Sequence, residues 1–127
     1  KKMLNKVVIS LGSNTPDSNS RMMQAMMWLE ENLISFKCSA IYSTPPLSGV
    51  GSDYLNAVAV GETKCEQNEF NLMLKDYEKS SGRTPEAKKT GVVPIDLDIV
   101  IFNDQIVRPK DYSYDFFQIG YRQIVSD

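Results

Sequence analysis

Two aspartates, Asp96 and Asp98, stand in the apolar run VVPIDLDIVIF from Val92 to Phe102. A buried charge is costly unless it is paired or bound to a metal, so two like charges this close call for a cation. Alternate side chains of a strand share a face. Both carboxylates therefore project to one site, and Ile95, Leu97, Ile99 and Ile101 form the opposite, core-facing row. Such a pair either takes up a proton or binds a hard divalent cation, and Mg²⁺ accepts one or two carboxylates with substrate phosphates completing its shell. The alternative is that the aspartates merely begin the strand at its solvated end or pair with neighbouring lysines.

Other residues could serve the same chemistry. Tyr54 and Asn56 alternate onto one face of a strand and would stack on, and read the edge of, a flat heterocycle. They fit equally well as a rim tyrosine and an amide that satisfies nearby backbone. Candidate phosphate-binding cations are Arg83, Lys88, Lys89, Arg108 and Lys110, residues that taken singly are more often solvated surface. No G-x-x-x-x-G-K-[ST] loop is present, and GVGS at Gly49 to Ser52 falls short of a dinucleotide fingerprint, so phosphate would not be held in a P-loop. Histidine is absent, which leaves carboxylates, cations, metal and positioning to do the work.

The elements that must position these residues alternate in type. Lys6 to Leu11 reads as a buried strand closed by a Gly12 to Asn14 turn. Met22, Met26, Leu29 and Leu33 recur at helical spacing from about Ser18, with Met23, Met27 and Ile34 widening the stripe and a Ser or Asn cap before it. Strands follow at Phe36 to Tyr42 and Tyr54 to Thr63, separated by the Pro- and Gly-bearing STPPLSGVGSD. Phe70, Met73, Leu74 and Tyr77 mark a second helix over Glu66 to Lys79, stopped at Ser80 to Gly82. Arg83 to Val93 is unpatterned. Ile95 to Phe102 is the fourth strand, a short segment follows around Gln105 to Val107, and the aromatic-rich tail ends in a helix from near Asp115. This is the order of a split βαβ, ferredoxin-like α+β domain: a mainly antiparallel sheet, both helices on one face, and the other face free for a site.

At 127 residues the chain suits one domain, 1–127. A net charge of −2 gives no electrostatic reason for nucleic acid or an anionic membrane as partner. No apolar run approaches the roughly 20 residues of a membrane span, and the start carries no signal-peptide pattern, so the expected place is the cytoplasm. Cys38 and Cys65 read as buried reduced thiols.

The stretches VVISLGSN (7–14), YSTPPL (42–47), DYLNAV (53–58), E-x-x-x-GR (78–83) and IDLDIVIF (95–102) occur in the order found in 6-hydroxymethyl-7,8-dihydropterin pyrophosphokinases, and the chain resembles that family over nearly its whole length. The resemblance implies transfer of pyrophosphate from ATP to the hydroxymethyl group of the pterin in folate biosynthesis, by a protein expected to be a monomer. It implies that Asp96 and Asp98 hold two Mg²⁺ ions, with Arg83 as a catalytic cation. Asn56 reads the pterin edge with the Thr44, Pro45 and Leu47 loop; Tyr54 and Tyr121 sandwich the ring. Glu78, Lys89, Ile99, Arg108 and Lys110 then belong to the nucleotide side.

The chain also departs from the family pattern. Val93 stands where an arginine precedes the I-D-L-D, Thr90 where a tryptophan does, and Ser113 and Ile119 align with a phosphate-binding His and Arg; the family pattern also continues past Asp127. Charge-assisted contacts are worth about 1.5–3 kcal/mol each, so these losses slow transfer unless Lys88, Lys89, Arg108, Lys110 or Arg122 compensate. Two further readings stand beside the enzyme: a family member that binds pterin or nucleotide without efficient transfer, and an interaction module that uses the open sheet.

Overall fold

The computed structural model describes residues 3–126, with the side chains of 87 and 88 left out. Eleven elements follow one another: β1 (Asn5–Ser13), α1 (Ser18–Asn32), β2 (Ile34–Cys38), β3 (Tyr42–Thr44), β4 (Tyr54–Thr63), α2 (Gln67–Ser80), α3 (Pro85–Lys89), β5 (Asp96–Phe102), β6 (Gln105–Ile106), α4 (Pro109–Ser113) and α5 (Asp115–Val125). The strands form one antiparallel sheet in the order β2-β4-β1-β5-β6, with β3 on the far end of β4. This is the α+β, ferredoxin-like arrangement the element order predicts.

The expected strand Phe36 to Tyr42 is two strands. β2 pairs with the Ala59–Glu62 end of β4 and β3 with its Tyr54–Asn56 end. At the break, Ser39 N–H donates to Val58 O at 2.8 Å and Ser39 Oγ accepts from Val58 N–H at 2.9 Å, so the side chain replaces a missing ladder partner. At the first helix, Asp17 rather than Ser or Asn is the N-cap residue. Met22 is buried there, but Met23, Met27 and Ile34 are exposed rather than part of the core stripe. The 83–93 stretch, unpatterned in sequence, contains the single-turn α3.

One face of the sheet buries Val7, Ile9, Leu11, Ala57, Ala59, Leu97 and Ile99 against Met22, Ala25 and Leu29 of α1 and Phe70 and Leu74 of α2. The opposite face is half covered. Phe117 of α5 packs on Val8, Val58, Val100 and Ile101, and its full burial contributes roughly 2–3 kcal/mol to docking that helix. Gly120 makes the close approach possible: a Cβ there would lie 2.8 Å from Val58 Cγ2 and 2.8 Å from the Tyr42 hydroxyl. Tyr42 bolts the helix down by donating to Phe116 O at 2.6 Å and accepting from Gly120 N–H at 3.0 Å.

The predicted core row of β5 fails at Ile101. The register passes from Val8 opposite Ile101 to Ile9 opposite Ile99, so Val100 is an extra, bulged residue. Past it the alternation is reset, and Ile101 joins the α5 side.

Candidate active site

The uncovered half of the second face is built from three strands in two cross-strand rows. Asn56, Gly12 and Asp96 form one row; Val58, Ser10 and Asp98 form the next. Adjacent strands lie about 4.8 Å apart, so Asn56 on β4 and Asp96 on β5 stand about 10 Å from each other across β1. Between them β1 presents only Gly12 and Ser10. A Cβ on Gly12 would meet Asn56 Oδ1 at 3.5 Å and Tyr54 Cδ2 at 3.7 Å, so its absence leaves floor space. Above this floor is a cavity of about 400 Å³, closed by Thr44, Pro45, Pro46, Leu47 and Ser48 on one side and Arg108, Asp111 and Phe116 on another.

The Asn56 end is preset. Asn56 is 3% exposed, and its Nδ2 donates to Thr44 Oγ1 at 2.6 Å, which fixes the amide plane. Tyr54 lines the same end, its hydroxyl pKa raised first by burial and then by the nearby Asp96 charge.

The carboxylate end is held from outside the sheet. β6 pairs with Ile101 and Phe102, so among the described residues no strand lies beside the outer edge of the chain from Ile95 to Asp98. Side chains from α2 and the turn after it take the place of one. Glu78 Oε2 accepts the Leu97 N–H at 2.7 Å, Lys75 Nζ donates to Leu97 O at 2.9 Å, and Arg83 Nη1 donates to Ile95 O at 3.4 Å. The same two cations reach the aspartates: Arg83 Nη1 lies 2.7 Å from Asp96 Oδ1, and Lys75 Nζ lies 3.0 Å from Asp98 Oδ1 and 2.9 Å from Glu78 Oε2. Lys75 has no signal in the sequence beyond its place one turn before Glu78, because only the fold brings α2 beside the edge of β5.

Asp96 has its pKa pushed up to about 7, first by burial and then by the like charge of Asp98, with Arg83 opposing. Among the described residues no cluster of three or more His, Cys, Asp or Glu is placed to hold an ion. Two same-facing carboxylates at the end of an open cavity are donors of the type that Mg²⁺ accepts when substrate oxygens complete its shell. In that respect the residues fit the metal the resemblance implies.

Placement of the other candidates is uneven. Thr44, Pro45, Leu47, Tyr54, Asn56, Asp96, Asp98 and Arg108 line one cavity, and Arg83 and Glu78 stand behind its carboxylate end. Arg108 Nε is held by Asp111 Oδ2 at 2.6 Å. Ile99 points into the opposite layer among the helices. Tyr121 stacks on Phe117, with ring centroids 5.1 Å apart, and meets Tyr112; the α5 aromatic that lines the cavity is Phe116. Helical phase explains the difference, since 117 and 121 share the stripe that packs on the sheet. Lys89, at the end of α3, and Lys110, on α4, are not among the lining residues, and the Lys88 side chain lies outside the described residues. Val93 is tied to the end of β1: its N–H donates to Asn14 Oδ1 at 2.6 Å and its carbonyl accepts Asn14 N–H at 3.0 Å.

The molecule is thus a ferredoxin-like α+β domain with a carboxylate-bearing pocket on its open sheet face. The sequence profile of the 7,8-dihydro-6-hydroxymethylpterin-pyrophosphokinase (HPPK) family matches residues 8–126, and the chain belongs to that family. It is similar to the 2-amino-4-hydroxy-6-hydroxymethyldihydropteridine pyrophosphokinases of Aquifex aeolicus (34% identity, covering 82% of this chain and 65% of that protein) and Bacillus subtilis (32% identity, 89% and 72%). It also resembles a folate synthesis bifunctional protein of Arabidopsis thaliana at 32% identity, over 84% of this chain and 24% of the relative. The chain therefore spans less than two thirds of the Aquifex and Arabidopsis relatives.

Proposed function

We propose that this protein transfers pyrophosphate from ATP to the hydroxymethyl group of 6-hydroxymethyl-7,8-dihydropterin, releasing AMP. One observation carries the reading: a single cavity is lined by Tyr54 and Asn56 at one end and by Asp96 and Asp98 at the other, about 10 Å apart, a separation that suits a bicyclic ring and its hydroxymethyl arm.

In this reading Asn56, oriented by Thr44, reads the pterin edge, and Tyr54 and Phe116 flank the ring. The ring fixes the hydroxymethyl oxygen over Ser10 and Gly12, and Arg83 and Arg108 meet phosphate charge. Asp96 and Asp98 would hold two Mg²⁺ ions, which neutralise phosphate charge when bound. The chain's own contribution is placement, since phosphoryl-group transfer of this kind asks for alignment and charge stabilisation more than covalent help. We further propose one domain over 1–127, acting as a monomer in the cytoplasm. Two free cysteines suit a reducing compartment, and burial pushes the Cys38 thiol up to about 12. No described helix is long and apolar enough to cross a membrane.

A second reading, ligand binding with slow transfer, is favoured by Val93. The loop leading into β5 carries valine where the family has arginine, and Arg108 is the cation among the described residues that lines the cavity. The deciding assay is AMP release at high enzyme concentration, with and without the hydroxymethylpterin and with the Asp96→Ala, Asp98→Ala double variant as control. Pterin-dependent AMP supports the enzyme. Its absence alongside calorimetric binding of pterin or nucleotide supports the second reading.

A further inference from the structure

Lys75 is a cation of the site that the sequence pattern alone does not single out. Its ammonium has three donors, and all three are used: on Asp98 Oδ1 at 3.0 Å, Glu78 Oε2 at 2.9 Å and Leu97 O at 2.9 Å. Two of those acceptors belong to the scaffold, one on α2 itself and one on the edge of β5. The third belongs to the carboxylate pair. Lys75 and Arg83 thus set two positive charges against the three carboxylates Asp96, Asp98 and Glu78, leaving little net negative charge to attract a free divalent ion.

We propose that Lys75 is the resident counter-ion of Asp98 that a divalent metal must displace, and that its freed donor then turns to the phosphates arriving with that metal. The inference rests on the reading that Asp96 and Asp98 hold metal. Glu78 and Leu97 O keep the ammonium anchored, so the exchange needs only that its third hydrogen bond change partner. The side chain is 34% exposed, which leaves that donor within reach of a ligand. Two consequences follow: metal alone binds weakly, and metal with a polyphosphate binds well, because phosphate supplies the negative charge that Lys75 had neutralised. Lys75 acts as a positioning residue that couples metal binding to nucleotide binding.

The test is Mn²⁺ binding followed by electron paramagnetic resonance, without nucleotide and then with the non-hydrolysable α,β-methylene ATP, in wild type, Lys75→Gln, Lys75→Arg and Asp98→Asn. Glutamine keeps donors for Glu78 and Leu97 O but removes the charge; should it melt prematurely, Lys75→Met carries the same expectation. The neutral variant should bind Mn²⁺ alone on the order of tenfold tighter than wild type and the metal–analogue complex on the order of tenfold weaker. Lys75→Arg should keep the wild-type order. A merely structural role predicts weaker binding in both assays, so tighter Mn²⁺ binding is the diagnostic sign. If the neutral variant binds Mn²⁺ alone no tighter than wild type while Asp98→Asn loses it, the role of Lys75 is overturned and the metal site stands. If wild type binds no Mn²⁺ even with the analogue, the metal reading falls and this inference with it.

Discussion

The Glu78 carboxylate accepts the backbone N–H of Leu97 at 2.7 Å, between the two aspartates, where a neighbouring strand would otherwise sit. A helix side chain thereby completes the sheet edge, and the residues that bridge the gap, Lys75 and Arg83, are the ones that neutralise Asp96 and Asp98. Glu78→Ala should therefore lower stability by about 3 kcal/mol, because it leaves a buried N–H unpaired and one cation without its nearest anion. Urea denaturation measures this. A loss within about 0.5 kcal/mol, the range of an ordinary surface change, would mean the edge is satisfied some other way.

The raised pKa of Asp96 has a consequence for the metal-free protein. Its folded-state value near 7 lies above the usual 3.8, so between those values the folded chain holds a proton that the unfolded chain has released. Stability from this group is therefore full below the lower value and lost as pH rises through about 7. The side chain is 37% exposed, so water tempers the size of the effect but not its sign. Asp96→Asn should melt above wild type at pH 8 without metal, and the gap should close toward pH 4. Added Mg²⁺ and ATP should raise the wild type more than the variant. Thermal melts across pH, with and without ligands, check all three.

Gly12 separates the needs of the fold from those of the pocket. An added Cβ makes only ordinary contacts, at 3.5 Å from Asn56 Oδ1 and 3.7 Å from Tyr54 Cδ2, so Gly12→Ala should fold with a melting point close to wild type. The methyl group nevertheless stands on the cavity floor between the amide and the carboxylates. Pterin affinity should drop about tenfold, the scale set by one misplaced methyl group in a tight pocket. Calorimetry with the pterin measures it; unchanged affinity would place the ring elsewhere.

The sequence reveals what is periodic and hides what depends on phase or on distant partners. Alternation in I-D-L-D puts both aspartates on one face, and the same alternation puts Tyr54 and Asn56 on theirs, because neither stretch contains a bulge. The reading breaks at Ile101, one residue past a bulge that no residue type announces. It breaks again at the α5 aromatics: FFQIGY offers Phe116, Phe117 and Tyr121, and only the docking of Gly120 on Val58 decides that Phe116 faces the cavity. Lys75 and Glu78 are ordinary helix residues until α2 is laid beside an unpaired strand edge. The suggestion that the aspartates pair with a lysine is realised for Asp98, by a residue 23 positions away.

Val93 is where restoring the family residue should help most. Its backbone is held on both sides by Asn14, whose Nδ2 also donates to Gly91 O at 3.0 Å, so the loop has a fixed path into β5 that does not use the Val93 side chain. The site's three cations, Lys75, Arg83 and Arg108, are each bound to a carboxylate, Asp98, Asp96 and Asp111 respectively, so phosphate charge exceeds what they can meet. A guanidinium at 93 would add a bidentate donor that no resident carboxylate contacts. Val93→Arg should leave the melting point within a few degrees of wild type and raise kcat/KM for AMP release by about tenfold or more, the equivalent of one charge-assisted contact of about 1.5 kcal/mol. Steady-state kinetics with the pterin saturating and ATP varied will show whether the gain lies in nucleotide binding or in transfer. An arginine that changes neither would mean that the β5 entry loop lies outside the path of the phosphates in this protein.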